Sequence, residues 1–342
     1  MTKTPAILIL GDGRIAKAVS YYLKHLTPSA RIASFAPAAL KGKPKGFSLI
    51  ISCLPSKEAA LGLELALRHK VDILDISDLD PPYYLKKKKD IEGADILVVP
   101  GCGFCPGLVN FILGREIAAN PKINRVIIKA GSFSRRKHYF PFLWCFDDLI
   151  QEHRLSSQQI ISGTKVRLHP FSGFDKEKIL SVPLESYFSV SGFENILNKR
   201  KFQDFHFRVI RPEGFMAFFK FLENYGLFAK RNINKVRPLL ESIRLDNYTI
   251  ATIELFKNNQ PLVYWQVRAF SKKNEHLNSM QKITALVSAS LTKLLYFNPS
   301  SAKPKGLIFM EGLAENGGIF RSLLSSLRKN GILIYRRPSV HA

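Results

Sequence analysis

The first third of the chain alternates short, continuous apolar runs with amphipathic stretches. "AILIL" (6–10) is apolar throughout and ends at Gly11, and from Ile15 to Leu26 apolar or small residues recur at 15, 16, 18, 19, 22, 23 and 26, which is helical spacing. The pattern then repeats. "ARIASF" (30–35) and "FSLIISCLP" (47–55) read as strands, "SKEAALGLELALRHK" (56–70) as a helix, and "VDILDIS" (71–77) as the next strand. A basic helix opens at Asp80-Pro81, "ADILVVP" (94–100) is a buried strand, and "PGLVNFILGREIAAN" (106–120) predicts a helix with Pro106 in its first turn. Strands alternating with helices at these intervals predict a parallel, doubly wound sheet.

Beyond about residue 124 the pattern changes. "RVIIKAG" (125–131), "KVRLHPF" (165–171), "YTIATIELF" (248–256) and "LVYWQVRAF" (262–270) are longer strands mixing polar and aromatic residues, as a separate mixed or antiparallel sheet requires. "NSMQKITALVSASLTKLLYF" (278–297) is a helix. The closing "GIFRSLLSSLRKNGILIYRR" (318–337) reads as helix, Gly331, strand, and suits the first sheet better. The expected fold is therefore α/β: a nucleotide-binding domain over 1–123 to which 304–342 return, and an inserted α+β domain over 124–303 for substrate binding and dimerisation.

Gly11-Asp12-Gly13-Arg14-Ile15-Ala16 is a G-x-G-x-x-A directly after a strand and opening a helix. Its glycines permit a tight turn and close approach of a pyrophosphate to the helix N-terminus, and small Ala16 lets helix and sheet pack closely. This is the Rossmann-type signature, with Ile15 inside the first turn; the bland alternative is a tight strand-to-helix turn with no ligand. An NAD site places an acidic residue about 20 positions on, to hold the ribose hydroxyls. None stands between Asp12 and Glu58, whereas Arg14, Ser34, Lys41, Lys43 and Lys45 lie where a 2′-phosphate would be met. NADP is therefore expected in preference to NAD, unless the adenosine site has decayed.

The formal charge of +24 raises nucleic acid or an acidic membrane surface as partners. The densest basic runs, at 86–89, 135–138 and 199–201, are scattered, and no nucleic-acid-binding motif accompanies them, so no specific nucleic acid is expected. "AILIL" is much shorter than a signal-peptide core, and no apolar run approaches a transmembrane span, so a cytoplasmic protein is expected. The four cysteines, Cys53, Cys102, Cys105 and Cys145, are too few for a disulfide framework in a chain of 342 residues. Cys102-Gly-Phe-Cys105 could be a redox pair or half of a zinc site, but no second C-x-x-C or nearby His pair completes a tetrahedral set; no metal is expected and the cysteines are expected simply to pack.

Several segments in order resemble the saccharopine dehydrogenase family, in its saccharopine reductase and lysine 6-dehydrogenase branch. They are "ISCLP" (51–55), "DISD" (75–78), "GCGFCPGLVN" (101–110), "WCFDDLIQEH" (144–153) followed by "ISGTKV" (161–166), "RPEGF" (211–215) and "FMEGL" (309–313). The resemblance implies an NAD(P)-dependent oxidoreductase that moves a hydride between a nicotinamide and a carbon bonded to nitrogen, by imine reduction or amine oxidation of an amino-acid-like small molecule, in a homodimer. It places Cys53, Leu54, Pro55, Ser77, Gly103 and Pro106 beside the nicotinamide. It makes Arg211 a carboxylate anchor, Trp144 a pocket wall, and Asp147 and His153 carriers of protons. Lys129 and Ser132, where the second domain begins, join the candidate set. Cys105 stands where the family commonly has Asp, Cys145 replaces Ser, His153 replaces Tyr, and Glu213 is an added acid. The rival reading is a non-catalytic NADP-binding regulator, or a membrane-surface adaptor, of the same fold.

Overall fold

A computed structural model describes residues 5–37, 46–77, 79–190, 192–298 and 303–338. The chain divides into two compact units, one of Met1–Pro121, Gly192–Arg200 and Gln281–Gly331, the other of Lys122–Ser191, Lys201–Met280 and Ile332–Ala342.

The first unit begins β1 (Ala6–Leu10), α1 (Arg14–Leu26), β2 (Arg31–Phe35), β3 (Leu49–Ser52), α2 (Ala59–His69), β4 (Asp72–Asp75), α3 (Pro81–Lys86), α4 (Lys88–Ala94), β5 (Leu97–Pro100) and α5 (Leu108–Ala119). The second unit follows with β6 (Arg125–Phe133), α6 (Phe146–Glu152), β7 (Ser157–Ile161), β8 (Thr164–Leu168), β9 (Asp175–Ile179) and β10 (Val182–Phe188). The short α7 (Glu194–Lys199) belongs to the first unit. Then come β11 (Asp204–Pro212), α8 (Phe215–Asn224), α9 (Lys230–Ser242), β12 (Asn247–Lys257) and β13 (Gln260–Ser271) of the second. α10 (Ser279–Tyr296), β14 (Gly306–Leu307), α11 (Met310–Leu313) and α12 (Gly317–Lys329) return to the first, apart from the opening of α10, and β15 (Leu333–Pro338) closes the second.

In the first unit six strands run parallel in the order β14-β5-β4-β3-β1-β2. Every residue of β1, β3, β4 and β5 is buried, which is why β1 and β5 read as unbroken apolar runs, and β3 and β4 as apolar centres ended by Ser52 and flanked by Asp72 and Asp75, rather than as alternation. Full burial of one Ile or Leu side chain contributes about 1.5–3 kcal/mol. α1 buries Ala16, Ala18, Val19, Tyr22 and Leu23 and exposes the residues between, so its small residues set a close approach to the sheet.

The second unit holds a nine-stranded sheet. β13 alternates, with Val263, Trp265, Val267 and Ala269 buried and their neighbours less so, giving one covered face, whereas β12 is buried on both faces from Thr249 to Ile253. The sheet is mixed: β6 pairs β11 in parallel and β12 antiparallel. An aromatic core gathers Phe142, Phe146, Phe215, Phe219 and Phe228 from α6, α8 and their flanks, with Tyr187 from β10.

Two expectations are corrected. The strand over 333–338 pairs antiparallel with β13 instead of joining the first sheet, because the free edge of β13 supplies its hydrogen bonds; of residues 304–342 only 304–331 return to the first unit, and most of α10 joins them, as α7 does from within the expected insertion. Pro106 does not sit in the first turn of its helix. It follows a cis Cys105-Pro106 bond and precedes Gly107, the residue that caps α5.

Candidate functional site

In the first unit the last residues of four neighbouring strands lie side by side in register: Leu10 with Ser52, Ser52 with Asp75, Asp75 with Pro100. The loops that follow, 11–13, 53–55, 76–77 and 101–107, therefore share one edge of the sheet. Chain direction reverses there, since β1 is followed in sequence by β2 on one side and is flanked by β3 on the other. This is the switch point at which doubly wound sheets hold ligands.

Gly11 has φ +124°, and a Cβ there would stand 3.1 Å from the carbonyl oxygen of Cys53, so a side chain is excluded by both backbone and neighbour. Gly13 caps α1 without any side-chain hydrogen bond, and a Cβ added to it meets nothing within 4 Å. The first N–H groups of a 13-residue helix thus face open space with no side chain filling it, the arrangement that suits a phosphate. Arg14 and Ile15 open the helix, Arg14 exposed, and Ala16 is buried against the sheet. Ser34 donates its hydroxyl to the carbonyl of Gly11 at 2.9 Å, and the Gly11 N–H donates to Phe35 at 2.8 Å, so the end of β2 holds the loop. Lys41, Lys43 and Lys45 lie outside the described residues.

Behind the neighbouring loops is a buried carboxyl. Asp75 accepts from the Ser77 N–H at 2.9 Å, the Ser77 hydroxyl at 2.6 Å and the Tyr84 hydroxyl at 2.6 Å. Burial pushes its pKa up more than these donors pull it down. The same burial, with the charge of Asp75 second, pushes the Cys53 and Cys102 thiols up. Leu54 is buried and Pro55 half-buried. Cys102 donates to the Val99 carbonyl at 3.0 Å, and all four cysteines are free thiols. Around Gly103 and Pro106 the turn is fixed by close backbone packing. A Cβ on Gly107, at φ +137°, would fall 2.0 Å from the Gly103 oxygen. Asn110 closes the turn by accepting from the Gly107 N–H at 3.0 Å and donating to the Gly192 carbonyl at 3.1 Å.

In the second unit the candidates separate into three settings. Arg211 and His153 meet in the aromatic core, Arg211 donating to Glu152 at 2.6 Å and stacking over Phe215. His153, 4% exposed, bonds through Nδ1 to the Leu149 carbonyl at 2.7 Å and is ringed by Phe171, Tyr187, Phe215 and Phe219. Burial, then the positive charge of Arg211, lowers its pKa well below the usual range, so the imidazole is neutral at pH 7. His153 Nε2, Tyr187 Oη and Arg211 Nε are buried without partners. Trp144 borders the same core. Asp147 is half exposed and pairs with Arg237 of α9. Lys129 on β6 pairs with Glu177 of β9 at 2.7 Å, and Ser132 shares a 2.9 Å hydrogen bond with Thr249.

Sequence reasoning passed over Glu152, Asp75 and Asn110. Glu152 stands next to His153, yet its tie to Arg211 spans 59 residues. Asp75, a carboxylate ending an apolar strand, was a readable signal. Among the described residues no group of three or more His, Cys, Asp or Glu is arranged to hold a metal ion, and no helix is long and apolar enough to cross a membrane.

No protein-family model matches the chain, and no curated protein matches it by sequence. Solved structures do match it. Apo saccharopine dehydrogenase (L-Glu forming) from Saccharomyces cerevisiae aligns with a TM-score of 0.73 at 13% identity, over 98% of this chain and 100% of that one. Homospermidine synthase from Legionella pneumophila, solved in complex with NAD, aligns with a TM-score of 0.65 at 10% identity, over 99% of this chain and 93% of that one. The expected likeness to saccharopine dehydrogenase is thus found in the fold, at 13% identity.

Proposed function

We propose that the chain is a nicotinamide-dinucleotide-dependent oxidoreductase acting at a C–N bond of an amino-acid-derived substrate, with NADP preferred to NAD. The observation that carries this reading is the N-terminus of α1: uncapped, opened by Gly13 onto free space, and placed at the switch point of a parallel sheet. Its first N–H groups would hold the pyrophosphate, with Ile15 and Ala16 seating the helix beneath it. Arg14, with Lys41 and Lys43, would meet the 2′-phosphate; the lack of any acidic residue from Gly13 to Lys57 supports this choice. Cys53, Leu54, Pro55, Ser77, Gly103 and Pro106, on adjacent strand ends, would floor the nicotinamide.

The bound dinucleotide would supply or accept the hydride. The protein then has to hold a carboxylate-bearing substrate and handle one proton. Arg211 is the anchor in this reading, its charge balanced in the absence of substrate by Glu152. His153 would act as a neutral imidazole, accepting a proton or hydrogen bond at its unpartnered Nε2. Trp144 would wall the pocket, and Asp147 and Lys129, each in an ion pair, would act through those pairs. The fold of the yeast saccharopine dehydrogenase supports the C–N chemistry.

The test is NADPH consumption with mixtures of amino acids and aldehydes, and NADP reduction with secondary amino acids. Turnover with any imine or amine, lost in Arg211→Lys, is expected. Tight NADPH binding with no turnover across the panel would instead support the non-catalytic reading.

A further inference from the structure

The first unit carries a second concave site that the dinucleotide reading does not use. It is an open groove of about 700 Å³ between the last turn of α1, the second half of α10 and one face of α12. Lys293, Arg321 and Lys329 line it together with His25, and no carboxylate does. None of these four side chains has a hydrogen-bond or ion-pair partner among the described residues. In the same unit, lysines elsewhere find acids: Lys87 pairs with Asp90, Lys88 with Glu92, Lys303 with Asp72 and Lys305 with Asp95. Two lysines and an arginine gathered at one concavity repel one another, and a bound anion relieves that repulsion.

The rest of the lining narrows the ligand. Ser290 is fully buried and shares a 2.8 Å hydrogen bond with Ser326, forming a polar floor, while Ser322 and Ser325 stand exposed above it on α12. Hydroxyls beside Lys and Arg suit a group with several acceptor oxygens, as a phosphate has. Leu26, Leu294 and Phe297 add an apolar wall that inorganic phosphate would leave uncovered. The groove is also remote from the α1 N-terminus. His25 lies 11 residues beyond Arg14 on α1, roughly 17 Å along the helix axis at about 1.5 Å per residue.

We propose that this groove binds a small organic phosphate, with the phosphate on Lys293, Arg321 and Lys329 and its apolar part against Leu294 and Phe297. The site is separate from the dinucleotide site and does not depend on it. The recessed hydroxyl floor favours a small molecule, because only a group that enters the groove reaches it.

The experiment is calorimetric titration of the full chain with phenyl phosphate, with inorganic phosphate and benzoate as reference probes. One equivalent of phenyl phosphate is expected to bind, at least tenfold tighter than either reference, and equally well in saturating NADPH. Lys293→Glu/Arg321→Glu should weaken it at least tenfold, and the milder Lys329→Gln by a smaller factor. Gly13→Asp and the equal charge change Lys178→Glu/Lys230→Glu should leave it unaltered. Absence of saturable binding overturns the proposal, as does loss of binding with NADPH or in Gly13→Asp, which would put the anion at α1. An equal loss in the two charge-reversed doubles would reduce the effect to the general +24 field and overturn it as well.

Discussion

The hydroxyl of Ser34 donates to the carbonyl of Gly11 at 2.9 Å, tying the end of β2 to the loop between β1 and α1. The sequence expectation placed Ser34 on a 2′-phosphate, but its hydrogen is already committed to the loop. Ser34→Ala should therefore weaken NADPH and NADH alike, by roughly two- to tenfold, the worth of one neutral hydrogen bond. Fluorescence titration of both cofactors checks this. A loss confined to NADPH would put Ser34 on the phosphate after all.

Glu152 and Arg211 form a buried ion pair in the second unit, their side chains 12% and 7% exposed. Glu152→Leu strands a guanidinium in an aromatic core and should cost about 3–5 kcal/mol in urea unfolding. The double change Glu152→Leu/Arg211→Met should recover most of that loss. Equal instability of the single and double variants would show that the charge is not what Glu152 balances.

His153 carries a pH signature. Its folded pKa is lowered, chiefly by burial, so in the window below the ordinary histidine value of about 6.5 the unfolded chain binds a proton that the folded one refuses. Its contribution to stability is present above that value and is lost as pH falls below it. Asp75 and Glu152, with raised pKa values, act in the opposite sense, ionising at higher pH in the folded chain and favouring it toward acid. Between pH 7 and 5, urea unfolding of the wild type should respond less favourably to acid than that of His153→Phe, the difference being the imidazole's share. The same slope in both proteins would mean that the imidazole has no such share.

The parts of this architecture carried by local pattern were readable in the residues. β1 and β5 are apolar runs, and β3 and β4 have apolar centres, because both faces of a central parallel strand are covered, and the G-x-G-x-x-A stands where a helix must start without a side-chain cap. What depends on pairing across long separations was not. "ILIY" (332–335) suits either sheet by composition, and only the open edge of β13 decides that it pairs there. Arg211 was singled out as a carboxylate anchor, but its tie to Glu152 arises only when β11 and α6 pack. Asp147 illustrates the reverse: a suggestive neighbour of Trp144 in sequence, it turns toward α9.

The cysteine pair should be dispensable. Cys102 is buried with a thiol held protonated, and Cys105 lies in a turn fixed by Gly103, Gly107 and Asn110. Cys102→Ala/Cys105→Ser should keep NADPH affinity within about twofold, since the backbone of Gly103 and Gly107 with the Asn110 side chain, and not the thiols, shapes the turn. One bound zinc per wild-type chain, or a large loss of affinity, would contradict this.

The most direct measurement is titration of NADPH and NADH against the wild-type protein and Gly13→Asp. A carboxylate at position 13 would enter the open space in front of α1, where a pyrophosphate would be both displaced and repelled, while touching nothing that holds the fold together. Wild type should bind NADPH more tightly than NADH, and Gly13→Asp, folded by circular dichroism, should bind neither. Unchanged NADPH affinity in that variant would contradict the assignment of the α1 N-terminus as a dinucleotide site.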